Sequence, residues 1–163
     1  EIINSSLGKS SNSRYLMIFS HLLFIYAFLP LLMILYYCRK NNHKCIQEDD
    51  MELVWDKLIA ADMVVFVTPV YYFGMSAQLK KVIDRFFAIN DLLRSKPKKA
   101  VLLATCGDAE EWVMEPLVAH YKAICQYLHW EDAGQILATG VYDRAAIEDT
   151  PYPEQARILG KHI

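Results

Sequence analysis

Three short segments carry side chains suited to holding a ligand, and each follows apolar residues that read as the end of a β-strand. The first, Asn4-Ser5-Ser6-Leu7-Gly8-Lys9-Ser10-Ser11-Asn12-Ser13, gathers five hydroxyls and two amides just before a helix start. Free backbone N–H groups at such a start, joined by short hydroxyl side chains, suit a phosphate dianion. Ser5, Ser10, Ser11, Asn12 and Ser13 are the candidate ligands. Gly8-Lys9-Ser10 is only part of a Walker loop, since the earlier glycine is not at the required spacing. Taken alone, the segment is equally well explained as a polar capping loop.

The second segment, Thr68-Pro69-Val70-Tyr71-Tyr72-Phe73-Gly74, holds three consecutive aromatics between a proline and a glycine. Exposed apolar surface of this kind marks a place where something binds. A flat apolar partner such as an isoalloxazine ring fits it, and folding into the core or a subunit interface is the alternative. The third, Thr105-Cys106-Gly107-Asp108, offers a hydroxyl, a glycine that admits close backbone approach, and N–H donors for the polar edge of such a ring. Cys106 there either tunes the ring or fills space.

The elements that must position these loops alternate. Met51, Val54, Trp55 and Leu58 share a helical face between Asp49 and Ala61, with Asp49 or Asp50 placed to cap it. Met63 to Val67 is an unbroken apolar run, as expected of a strand covered on both faces in a parallel sheet. Leu79, Val82, Ile83, Phe86 and Phe87 then keep amphipathic helical spacing, capped by Ser76. Ala100 to Ala104 predicts a second buried strand. Leu117, Tyr121, Ile124 and Leu128 stripe the next helix, with Pro116 in its first turn. Gly134 to Val141 gives a third strand and Pro153 to Lys161 a closing helix. This alternation predicts an α/β fold, a doubly wound parallel sheet in three α/β/α layers, with ligands outside the carboxyl ends of the strands. Residues 1–163 read as a single domain.

Composition agrees with a packed domain: 54% of the residues are hydrophobic and 22% charged, which excludes wholesale disorder. A net charge of −2 with no basic tract gives nucleic acid no footprint. Four cysteines (Cys38, Cys45, Cys106 and Cys125) read as reduced thiols of a cytoplasmic protein. Ile2-Ile3 reads as the tail of a first strand that begins before Glu1, and no secretory signal is evident. The 23 residues from Tyr15 to Tyr37 carry no Asp, Glu, Lys or Arg and are interrupted by Pro30. They fit a helix (about Ser13 to Leu29) followed by a short strand (about Leu31 to Tyr36). A membrane span is the competing reading on length. Cys38, His43 and Cys45 lack a fourth ligand and the regular spacing of a zinc site. The remaining histidines have no Ser or Cys partner at recognisable spacing, so a hydrolytic triad has no support.

The run Pro69-Val70-Tyr71-Tyr72-Phe73-Gly74-Met75-Ser76-Ala77-Gln78-Leu79-Lys80, followed by Ile83-Asp84-Arg85, resembles the second flavin loop of the NAD(P)H-dependent FMN reductases and iron–sulfur flavoproteins. Asn4-Ser5-Ser6 with Asn12-Ser13 is similar to that family's phosphate loop. The likeness runs from Cys38 to about Val141 and is poor between Tyr15 and Tyr37. It implies a flavodoxin-like fold with FMN as cofactor and NAD(P)H as co-substrate. The first loop would hold the phosphate, and Pro69 to Gly74 with Thr105 to Asp108 would hold the ring. The iron–sulfur members carry further cysteines at intervals of three before the last ones, and this chain has Leu32 and Leu35 there. Four thiolates are the usual requirement for a cluster, so no metal site is expected.

The implied function is an FMN-dependent oxidoreductase that passes electrons from a nicotinamide to a quinone, flavin or other small acceptor. No catalytic acid or base is named, because the flavin carries the chemistry. A flavodoxin-like electron carrier is the alternative, and a membrane-attached flavoprotein rests on Tyr15 to Tyr37 alone. The resemblance also implies a homo-oligomer, with Phe86-Phe87 as a possible contact.

Overall fold

The computed structural model describes residues 49–163, all within one compact unit, Glu48–Ile163. Ile2-Ile3, the first loop with Ser5, Ser10, Ser11, Asn12 and Ser13, the run Tyr15 to Tyr37, and Cys38, His43 and Cys45 lie outside the described residues. Within them the order is α1 (Met51–Ala60), β1 (Met63–Tyr71), β2 (Gly74–Met75), α2 (Ala77–Asp84), α3 (Asn90–Ser95), β3 (Lys99–Thr105), α4 (Glu115–Leu128), β4 (Glu131–Ala138), α5 (Arg144–Glu148) and α6 (Tyr152–His162). Short 3-10 turns, Arg85–Ile89 and Glu111–Met114, lead into α3 and α4. The sheet runs β2-β1-β3-β4, with β1, β3 and β4 parallel and β2 antiparallel to β1.

Local chemistry explains the boundaries. Asp49, not Asp50, serves the start of α1: its Oδ1 accepts the Met51 N–H at 3.0 Å, and Asp50 makes no side-chain cap bond. At the other end Lys98, buried, donates Nζ to the carbonyls of Ile59 (2.9 Å) and Ala61, meeting acceptors the helix leaves open. Ser76 caps α2 by accepting the Leu79 N–H at 3.3 Å. The expected stripes are narrower in the fold. Trp55 and Leu58 are buried on α1 while Val54 is 40% exposed, and on α4 Cys125 takes the buried place expected of Ile124.

One face of the sheet packs on α4. Phe66 of β1 meets Tyr121 edge to face, ring centroids 5.8 Å apart, and Trp130 closes the same cluster with its Nε1 donating to the Leu93 carbonyl at 3.1 Å. The other face carries α6 over β4, where Leu159 lies against Gly134. Helices on both faces give the α/β/α layering expected of a flavodoxin-like domain. Two expectations fail in detail. Val65 and Val67 are exposed, so the described residues cover the apolar run of β1 on one face only. β4 starts three residues before Gly134 and ends at Ala138. The Glu131 N–H already donates to the Lys98 carbonyl (2.8 Å), and a bulge then drops Ala133 out of register so that Gly134 pairs with Val101. Asp132 secures the bulge by accepting the Tyr121 hydroxyl (3.0 Å) and the Gly134 N–H (3.2 Å).

Candidate functional site

The carboxyl ends of β1 and β3 lie side by side, with Pro69 in register with Thr105. Both residues belong to their strands, so the exit loops start later than the sequence suggests. After Tyr71 the chain reverses through Tyr72 and Phe73 alone, and Gly74 pairs back with Tyr71. Both central residues have positive φ, 46° and 64°. That is the requirement of a type I′ hairpin turn, ordinarily met by Asn-Gly. Below the turn, the buried Thr68 Oγ1 accepts the Ser76 N–H at 2.9 Å and donates to the Pro69 carbonyl at 2.8 Å, tying the hairpin to the sheet.

The loop after β3 is pinned to the loop after β4. The Cys106 N–H donates to the Ala138 carbonyl (2.9 Å), the Val141 N–H to the Cys106 carbonyl (2.8 Å), and the Gly140 N–H to the Asp108 carbonyl (2.7 Å). Gly140, at φ 71°, makes the turn that allows this. The Gly107 N–H has no acceptor among the described residues, the Asp108 N–H is directed at the Cys106 sulfur, and the Asp108 carboxylate is engaged by the Glu110 N–H at 3.0 Å. Cys106 is buried, and its thiol donates to the Asp108 carbonyl at 3.2 Å. Burial pushes its pKa up, so the sulfur stays a neutral thiol.

These two loops enclose a cleft of about 290 Å³ lined by Val70, Tyr72, Phe73, Cys106, Gly107 and Asp108, with Val113 added. Six of the expected ring-site residues are therefore brought together. Pro69 and Thr105 line a neighbouring groove on the sheet face, and Tyr71 and Gly74 serve as the hairpin's closing pair. The sequence alone does not single out three further residues. Val113 completes the wall, Trp112 stacks on Phe73, and the Tyr142 ring would lie 3.1 Å from a Cβ on Gly107. The available signal was Trp112 itself, an indole directly after Glu110-Glu111. A larger concavity of about 530 Å³ lies between α4, Leu137 and Tyr152. It opens beside β4 and not where two strand ends meet, and parallel sheets place their ligands at the strand ends. Among the described residues no three His, Cys, Asp or Glu side chains are grouped to hold a metal, and no helix is long and apolar enough to cross a membrane.

The family described as NADPH-dependent FMN reductase matches residues 2–130. An iron-sulfur flavoprotein of Methanocaldococcus jannaschii is 47% identical over 62 residues, covering 38% of this chain and 30% of that protein. A Bacillus subtilis protein named as an NAD(P)H-dependent FMN-containing oxidoreductase is 27% identical over 103 residues, covering 57% and 55%. The matches thus span between 30% and 55% of the length of these two relatives. Among solved structures, the Trp repressor binding protein from Bacillus subtilis superposes with a TM-score of 0.59 at 24% identity, covering 69% of this chain and 71% of that one. An FMN-dependent NADH-azoreductase from Bacillus anthracis gives 0.53 at 16% identity, covering 79% and 71%. These likenesses establish the flavodoxin-like fold.

Proposed function

The chain belongs to the NADPH-dependent FMN reductase family, and on that premise we propose that it is an FMN-dependent oxidoreductase that takes electrons from NAD(P)H and delivers them to a small acceptor such as a quinone or a flavin. The observation that carries this reading is the cleft between the two strand-end loops. Its walls fit a flavin ring: Val70, Tyr72, Phe73 and Val113 offer apolar and aromatic surface, while the Gly107 N–H supplies a donor for a polar ring edge. Ser5, Ser10, Ser11, Asn12 and Ser13 are the residues we assign to the phosphate. When bound, FMN supplies the hydride and electron chemistry. The chain's own contribution is to orient the ring, exclude water along its apolar face and keep Cys106 protonated and unreactive.

The family favours an enzyme over an electron carrier, since its description and that of the Bacillus subtilis relative name reductase and oxidoreductase activity. The proposal includes a cytoplasmic homo-oligomer. Phe86 is buried, so the aromatic available for such a contact is Phe87, 40% exposed.

The test is an absorbance spectrum of the purified protein before and after anaerobic NADPH, with the released ligand identified by mass and iron assayed alongside. FMN bands that bleach with NADPH, and iron well below one atom per chain, are expected. FAD or no flavin after reconstitution would reject the cofactor. Bound FMN that NADPH and NADH both fail to bleach would make the chain a carrier. A full iron complement would overturn the reading of Leu32 and Leu35.

A further inference from the structure

Phe73 and Trp112 stand on different loops, yet their rings stack with centroids 5.3 Å apart and planes 27° from parallel. Phe73 lines the cleft, and Trp112, on the turn Glu111–Met114, reaches it only through the phenyl ring. The stack therefore joins the hairpin wall to the wall built from the loop after β3, above the strands that carry both. Phe73 sits in a left-handed conformation and is 41% exposed, so its backbone alone does not pack its ring into place. The indole is the group that holds it.

We propose that Trp112 is a positioning residue for the ring site: by stacking on Phe73 it sets the width of the cleft and presents the phenyl ring to a planar ligand. The inference rests on the flavin reading above. It assigns Trp112 no contact with the ring itself, which makes a double-mutant cycle decisive. An aromatic pair of this geometry corresponds to about two- to ten-fold in an equilibrium constant.

The experiment uses the full chain, stripped of flavin, titrated with FMN and followed by quenching of flavin fluorescence. Trp112→Ala should weaken binding about two- to ten-fold, and Trp112→Phe, which keeps a stacking ring, should restore most of the loss. Phe73→Ala should weaken binding by at least as much. The double variant should bind no worse than Phe73→Ala alone, because the indole acts through the phenyl. Because the stack is present without ligand, its loss should lower the melting temperature of Trp112→Ala and Phe73→Ala by only a few degrees, which leaves both folded at the titration temperature. Additive losses, or an unchanged affinity in Trp112→Ala, would overturn the proposal while leaving the flavin reading intact. Failure of the parent chain to bind FMN would overturn both.

Discussion

Tyr72 and Phe73 occupy a backbone region that bulky L-residues avoid because Cβ crowds the following carbonyl, at about 1–2 kcal/mol for each residue. Tyr72 gains no packing in return, since it is fully exposed. Strain kept at a ligand-facing turn is a common signature of a site. Tyr72→Asn, which suits the first central position of a type I′ turn, should raise stability by about 0.5–1 kcal/mol, read as a higher urea midpoint at unchanged slope. The same variant should bind FMN more weakly if the side chain serves the ring. A stabilised protein with undiminished affinity would show that Tyr72 plays no part in the site. The place of this turn at a strand end was legible in the sequence, from three aromatics between the apolar run and a glycine. Its tightness was not. Tyr-Phe is a poor match to the Asn-Gly signal of a two-residue hairpin, so the antiparallel β2 and the extension of β1 to Tyr71 left no trace in the local pattern.

At the level of elements, the bulge in β4 shows the limits of periodicity. The alternation of α1, β1, α2, β3, α4, β4 and α6 was readable, whereas β2, α3 and α5 were not anticipated, and the Ser76 cap and Pro116 first turn fell where expected. The start of β4 was misplaced because Glu131 and Asp132 look like loop residues. They belong to the strand through a hydrogen bond to Lys98, more than thirty positions away, and through a side-chain network that no local window contains. Gly134 is the pivot. Its φ of 148° strains any L side chain, and a would-be Cβ 2.6 Å from Leu159 Cδ1 would push that side chain aside. Gly134→Ala should cost about 2–3 kcal/mol from overpacking and strain, seen as a lower melting temperature. Adding Leu159→Ala should relieve only the steric part and bring its own cavity cost. If Gly134→Ala melts with the parent, the α6 packing described here is wrong.

Over the whole molecule, buried acids link stability to pH: the Cys106 thiol of the cleft, and two more on α4. Burial, aided by the hydrogen bond to Asp132, pushes the Tyr121 hydroxyl well above its ordinary value, and burial pushes the Cys125 thiol up as well. Unfolding returns the hydroxyl to about 10 and both thiols to about 8.5. Above those values the unfolded chain has lost protons that the folded chain keeps, so stability falls as pH rises. Denaturant midpoints should therefore hold steady through neutrality and decline from about pH 8.5 upward, and Tyr121→Phe should flatten the part above about pH 10. A profile in Tyr121→Phe as steep as the parent's would remove Tyr121 as a cause. The likeness that identified the family was legible in the loops at the strand ends, and family membership extends over residues 2–130. The parallel register carries one more consequence. It joins Met63 to Lys99 and Lys99 to Glu131, partners more than thirty positions apart, while the two-residue hairpin joins only near neighbours. A refolding chain can close the hairpin within microseconds. It gains nothing from the parallel ladder until long loops have been brought together, and contacts of such separation slow folding. The tip of the ring site can thus form early, but the strand ends that give it a floor come together late.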